Sequence, residues 1–303
     1  MWVSSSVIAD TLPDHARVGV IMPELRKPYK IIFDDINHGL VDVLGQSPVQ
    51  LYINKNTERE DIDDWINSSG VNYLIALGQV SSRSVQDITS LVRIVSGASL
   101  TLPAQSKIRQ GVALTPKPID LFRRLKQLQN NIQRVAVVYN PAKYQWLVDM
   151  GQTQASSIGI ELLAYPASNI KESVKIHTRL LSNNDSESLA IWLLQDRSTI
   201  DNKVVLPFLL EKSWQKSMII FSNSLSHVKK GVLFCLYPDN RGHGQQLGEL
   251  LIDVSASRNS MDVGLRPTLN SLAAVNTRTA EHLGIKLSNS ELQTFDVIFP
   301  MSN

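Results

Sequence analysis

This chain has almost none of the residues that usually announce chemistry. Of its 303 residues only Cys235 is a cysteine, which rules out an intrachain disulfide. Thirty basic residues against twenty-eight acidic ones leave a formal net charge of +2. A balance so near neutral gives no reason to expect a nucleic acid or an anionic membrane as partner. No run approaches the ~18 apolar residues that span a bilayer. There is no Walker lysine loop, no G-x-S-x-G, no H-E-x-x-H and no C-x-x-C. The six histidines (His15, His38, His177, His227, His243, His282) are scattered. None stands at a ligand spacing from another or from Cys235, so they read as structural or surface groups, and no metal or cofactor is expected. Cys235 lies in an apolar run and reads as a small buried hydrophobe. The opening Met1-Trp2-Val3-Ser4 lacks the basic n-region and long h-region of a signal peptide. That start fits either a cytoplasmic protein or a mature form.

A repeat stands out against these absences. Arg17-Val18-Gly19-Val20-Ile21-Met22-Pro23 recurs 117 residues later (134 against 17) as Arg134-Val135-Ala136-Val137-Val138-Tyr139-Asn140-Pro141. Each copy is a basic residue, a short apolar run rich in β-branched side chains and a stop at proline. Such runs read as buried strands of a parallel sheet. The chain length fits two domains, and two similar α/β halves imply a cleft between them.

Strand and helix patterns alternate along the rest of the chain, which predicts parallel sheets with right-handed crossovers. Strands are expected at 17–21, 49–53, 71–77, 91–95, 134–139, 160–164, 189–194, 218–221, 232–236, 271–275 and 294–299. The helix carrying Ile32, Ile36, Leu40, Val43 and Leu44 stops at Gly45. Gly111 to Pro118, with two prolines around an extended run, reads as a hinge crossing.

In open α/β sheets ligands sit at the carboxyl ends of strands, and polar residues recur there. The candidates in the first half are Met22, Pro23, Gly78, Gln79, Ser81 and Ser82. Those in the second are Tyr139, Asn140, Asp196, Arg197, Ser198, Ser222 and Asn223, and Asp239 could serve either half. Backbone N–H groups and hydroxyls at helix starts suit a carboxylate, and Asp196 or Asp239 suits an ammonium. Tyr139 could stack on an apolar or aromatic moiety. Each has a plainer reading. Ser81, Ser82, Ser198 and Thr199 are good helix caps, Gly78 suits a tight turn, and Asp196 and Arg197 could pair with each other at the surface.

Four segments resemble the periplasmic substrate-binding proteins of bacterial ABC transporters, in the group with tryptophan/tyrosine-type binding proteins. They are RVAVVYNP (134–141), GVALTPKPIDLFRRLKQL (111–128), GVLFCLYPDNRGHGQQLGELLID (231–253) and NTRTAEHLGIKLS (276–288). The resemblance runs from Arg17 to Pro300. It implies a type I periplasmic-binding-protein fold of class α/β, with two Rossmann-like lobes, parallel sheets and a three-segment hinge. Lobe 1 would be 17–114 with 237–268, and lobe 2 would be 115–236 with 269–303, after a loose lead-in at 1–16. Carried over by position, the cleft loops fall on Gly78–Ser82, Tyr139-Asn140, Asp196–Ser198, Ser222-Asn223 and Asp239. Gln79-Val80 replaces the family's Gly- or Ala-rich turn, and Arg197 stands where acidic or small residues are usual. The implied function is capture of an amino acid or similar small molecule, aromatic ones included, for an ABC permease. That implies a periplasmic monomer without enzymatic activity and with no nucleic-acid partner. The alternative is a periplasmic sensor domain signalling to a membrane kinase or cyclase partner.

Overall fold

A computed structural model describes residues 11–24, 29–102, 108, 110–182, 188–256 and 264–301. The first ten residues of the expected lead-in lie outside it. The chain divides into two compact units, one formed by Met1–Leu114 and Asn240–Thr268 and the other by Thr115–Asp239 and Leu269–Asn303. It therefore passes between units three times.

The first segment holds β1 (Val18–Pro23), α1 (Tyr29–Leu44), β2 (Val49–Ile53), α2 (Arg59–Ser69), β3 (Tyr73–Leu77), α3 (Gly78–Ser84), β4 (Arg93–Gly97) and β5 (Gln110–Pro116). Then come α4 (Pro118–Leu128), β6 (Arg134–Tyr139), α5 (Pro141–Ser156), β7 (Glu161–Pro166), α6 (Ile170–Ser182), β8 (Leu189–Leu193), α7 (Val205–Gln215), β9 (Ile219–Ser222), α8 (Leu225–Lys229) and β10 (Phe234–Pro238). The chain returns to the first unit with α9 (Asn240–Ala256) and β11 (Gly264–Thr268). It ends in the second with β12 (Ser271–Asn276), α10 (Thr277–His282), α11 (Asn289–Leu292) and β13 (Val297–Phe299). Among the described residues no helix is long and apolar enough to cross a membrane.

The two sheets share one plan. The first runs β2-β1-β3-β4-β5-β11 and the second β7-β6-β8-β9-β10-β12-β13. In each, the second strand of the unit lies at the edge, followed by the first, third, fourth and fifth. This is a doubly wound order, with ligand positions at the carboxyl ends. The two proline-stopped runs, β1 and β6, occupy equivalent places. Pairing is parallel throughout these five-strand blocks. Parallel strands covered on both faces need apolar side chains on both, and β3 and β8 are buried at every residue. One face of the first sheet packs Val20, Ile36, Leu40 and Leu247, and the other packs Ile21, Ile62, Ile66 and Leu74. In the second unit Phe122 meets Trp192 and Phe221 edge-on at 5.4 and 6.3 Å, and Phe221 stacks on Phe234 at 5.3 Å.

The structure corrects the sequence reading in places. β12 runs antiparallel to β10, with Pro238 opposite Ser271. The chain leaves the unit after Asp239 and re-enters at Leu269, and Asp239 N–H donates to Asn270 O at 3.1 Å. The incoming strand starts where the outgoing one stops, so it must run the other way. The strand expected at 294–299 shortens to Val297–Phe299, because Ser288 and Glu291 form a reciprocal capping box that starts α11. Neither α7, α8 nor β11 was foreseen. Ser81 and Ser82 are not caps: they lie inside α3, whose first residue is Gly78.

The first unit is closed by a helix that arrives late in the chain. α9 packs along α1 at backbone contact. A Cβ on Gly39 would stand 1.9 Å from Arg241 O, and one on Gly244 would stand 2.0 Å from Ile36 O. A Cβ on Gly248 would likewise stand 2.9 Å from Val43 Cβ. Beside this seam Arg241 grips Asp42 through two hydrogen bonds of 2.7 Å. We predict that Gly244→Ala or Gly39→Ala lowers stability by about 2–3 kcal/mol or more, since backbone cannot yield as a side chain does. Gly159→Ala, at φ +68 in open space, is the control and costs only about 1–2 kcal/mol for its left-handed backbone. Urea unfolding midpoints measure both.

Candidate functional site

Parallel strands leave their polar chemistry at the carboxyl edge, and each unit is described in turn. In the first, β3 ends at Leu77 and Gly78 turns the chain into α3 with φ +83. Gln79 follows, half-buried. Its Oε1 accepts from Ser99 Oγ at 2.8 Å and Thr101 Oγ1 at 3.0 Å, which ties the loop after β3 to the loop after β4. Ser82 Oγ is spent inside the fold, donating to Gly78 O at 3.1 Å and lying 2.8 Å from Ser96 Oγ. Ser81 is fully buried and its hydroxyl has no partner among the described residues. Met22 is a core residue, with Asn37 Nδ2 3.9 Å from its sulfur, and Pro23 beside it is partly exposed.

His243 also belongs to this edge, although the sequence reading set it aside. The seam between α1 and α9 carries it in, flanked by Gly242 and Gly244. Its Nε2 accepts from the Ala98 N–H at 3.1 Å, a donor shared with Val112 O at 3.1 Å, which favours the tautomer with the ring proton on Nδ1. Nδ1 is buried and has no partner among the described residues. Ala98 itself holds φ +54, an uncommon conformation for a residue with a side chain. Burial pushes the imidazole pKa down to about 3, and a second proton would have to displace the Ala98 N–H.

In the second unit the structure brings three predicted residues into one network. Asn140 caps α5, with Oδ1 accepting from Ala142 N–H at 3.0 Å while Nδ2 donates to Ser198 Oγ at 3.0 Å. Ser198 donates from N–H and Oγ to Asp196. Asp196 accepts further from Thr199 Oγ1 and, at 2.7 Å, from Lys143 Nζ. Burial opposes the Asp196 charge, but the hydrogen bonds from Lys143 and Ser198 outweigh it and hold the carboxyl below its usual range. Among the described residues Asp196 forms no ion pair with Arg197, the plainer reading of the two. Arg197 is exposed, and Lys143 takes its place.

The remaining candidates divide. Tyr139 is buried and its hydroxyl donates to Gln145 Oε1 at 3.0 Å. Ser222 Oγ donates to Leu193 O at 2.9 Å and lies 2.8 Å from His227 Nδ1, so it is committed internally. Asn223 is buried at the end of β9. Its Nδ2 donates to Thr115 Oγ1 at 3.1 Å, which leaves Oδ1 without a partner. Asp239 is partly exposed where the chain leaves the unit. Cys235 is fully buried, and burial pushes its thiol far up. Among the described residues no group of three or more His, Cys, Asp or Glu is placed to hold a metal. Two residues missed by the sequence reading matter here. Lys143 stands in the first turn of α5, where Asn140-Pro141 is an ordinary cap and first-turn pair. Thr115 was read only as hinge.

No family model matches the sequence, and no curated protein matches it. Solved structures do. A substrate-binding protein with adhesive properties from Clostridium difficile, in a ligand-free, open form, superposes with TM-score 0.63 at 15% identity, covering 93% of this chain and 98% of that one. An ABC domain from Streptococcus pneumonia in complex with L-Trp superposes with TM-score 0.57 at 16% identity, covering 94% and 99%. A conserved domain protein from Vibrio cholerae gives 0.56 at 18% identity, covering 94% and 99%. The chain has the type I periplasmic-binding-protein fold, of class α/β with two Rossmann-like units.

Burial also holds His177 and His227 neutral, each with its pKa pushed down to about 4, in the latter case with Lys230 adding to the effect. A histidine with a depressed folded pKa contributes stability that is present at neutral pH. That stability is lost as pH falls from the unfolded value of about 6.5 toward the folded one. We predict that each of the three costs up to about 2 kcal/mol of stability between pH 7 and pH 5. His243→Gln, whose Oε1 can accept from Ala98, removes one share. Urea unfolding at the two pH values checks this, and an unchanged slope in the variant contradicts it.

Proposed function

We propose that the chain is an extracytoplasmic solute-binding protein that captures a small polar molecule, an amino acid or a similar compound, at its strand-end loops and delivers it to an ABC permease. The observation that supports this most is the set of buried polar atoms without partners at these edges: His243 Nδ1 and Ser81 Oγ in one unit and Asn223 Oδ1 in the other. Buried polar groups are nearly always paired, and an unpaired one can be a place for an outside partner. Of seven such atoms among the described residues, these three sit at or beside the carboxyl ends of strands, where open α/β sheets bind ligands; Asn37, His177, Trp192 and Ser271 carry the other four. The fold shared with substrate-binding proteins agrees with this reading.

The chemistry favours binding over catalysis. The one cysteine is buried and protonated, His243 is held neutral, and Ser82 and Ser222 give their hydroxyls to the fold.

A thermal-shift screen of amino acids, nucleosides and sugars is the test, since a ligand that binds only the native state raises the melting point. For the best compound, Gln79→Ala and Asn223→Ala each weaken calorimetric affinity about 5- to 20-fold, the loss of one or two hydrogen bonds. Affinity unchanged by both variants would remove these loops from the binding surface.

A further inference from the structure

The sequence reading offered Asp196 as the acceptor for a ligand ammonium. Its surroundings leave no room for that role. The carboxylate side chain is 0% exposed. Oδ1 accepts from Lys143 Nζ (2.7 Å), Ser198 N–H (3.0 Å) and Ser198 Oγ (2.8 Å), and Oδ2 lies within reach of Ser198 Oγ (2.7 Å) and Thr199 Oγ1 (3.3 Å). A carboxylate has about four lone-pair sites, and these are taken. A ligand ammonium would have to displace Lys143, which is tethered to α5 at a high effective concentration, as for any intramolecular partner.

Lys143 is in the opposite condition. Its side chain is 40% exposed. Of three N–H donors, one goes to Asp196 and a second points toward Ser198 Oγ at 3.4 Å, so a third is open to solvent. It stands in the first turn of α5, where the amino-terminal dipole favours anions. Arg197, exposed on the segment after β8, is a second cation beside Asp196 in the sequence. Asn140 and Ser198 are committed to each other, to the Ala142 N–H and to the Asp196 carboxylate, so they cannot set selectivity. Two strands across the sheet, beyond β8, Asn223 contributes a buried acceptor without a partner, Oδ1.

We infer that Lys143, held in place by Asp196, is the specificity-determining residue of the second unit, and that it selects ligands carrying a carboxylate. Asn223 takes a hydroxyl or N–H donor of the same molecule. An amino acid would then be held through its carboxylate in this unit, with Asp196 a positioning residue that never touches it. This rests on the binding function proposed above.

The test uses matched probes and the full chain. Each set contains an amino acid, its decarboxylated amine and its desamino acid: tryptophan, tryptamine and indole-3-propionate, and likewise the phenylalanine and leucine sets. Glucose and adenosine supply neutral arms. Calorimetry is expected to find the binders among the carboxylate-bearing compounds, with affinity falling as sodium chloride rises. Lys143→Met weakens them at least tenfold, and Lys143→Arg restores most of the loss. Because Lys143→Met leaves the buried Asp196 charge unpaired, Lys143→Met/Asp196→Asn is measured beside it, with circular dichroism confirming the fold, and shows the same loss. The inference is overturned if an amine, glucose or adenosine is the best binder, or if the folded double variant binds within twofold of the parent. Both of those results leave the binding function standing. A panel with no binder at all overturns the binding function, and this inference with it.

Discussion

Burial of two parallel sheets on both faces is the constraint from which the rest follows. A strand covered by helices on either side has no place for polar chemistry along its length. β3 and β8 are buried throughout, and the polar side chains collect where the strands stop. That is why Gln79, Asn140, Asp196 and Asn223 all stand at strand ends. It is also why the polar groups there are either locked to one another or buried with an atom unpaired. Lone polar atoms in such surroundings carry a desolvation cost of about 1–3 kcal/mol each, and a binding function gives that cost a reason.

A second constraint fixes the first unit. Its sheet is made from the start of the chain, yet α9 reaches it only after the second unit has been built. The seam between α1 and α9 is tight because Gly39, Gly244 and Gly248 let the two backbones meet. The same seam delivers His243 to Ala98. Packing and site are thus one piece of structure. The group that favours one imidazole tautomer is a backbone N–H, and the residues that let the ring get there are glycines.

Much of this was legible in the sequence. The proline-stopped runs at Arg17 and Arg134 marked the equivalent strands β1 and β6, and the alternation of apolar runs gave the parallel order. Gly45 and Gly70, both at φ +67, end their helices as glycine stops should. What was hidden was mostly pairing across distance. Nothing local shows that Asp196 meets Lys143 rather than Arg197, because the two stand 53 positions apart with β7, α6 and β8 between them. Ser82 and Ser222 looked like ligand donors, and only the fold shows their hydroxyls facing inward. His243 was dismissed for want of a metal partner, yet its Gly-His-Gly setting was a sign of close helix packing. The reversal of β12 was invisible because strand direction is set by where the chain re-enters the unit.

The central claim is that a ligand binds at the carboxyl-end loops. Hydrogen exchange followed by mass spectrometry, with and without the compound that most raises the melting point, tests it most directly. The account predicts slowed exchange in 78–82 and 98–101 of the first unit and in 139–144, 195–199 and 222–224 of the second. Slowed exchange confined to other places, such as the hollow lined by Asp34, His38, Ser47 and Gln50 or the Trp214–His282 stack, would contradict it.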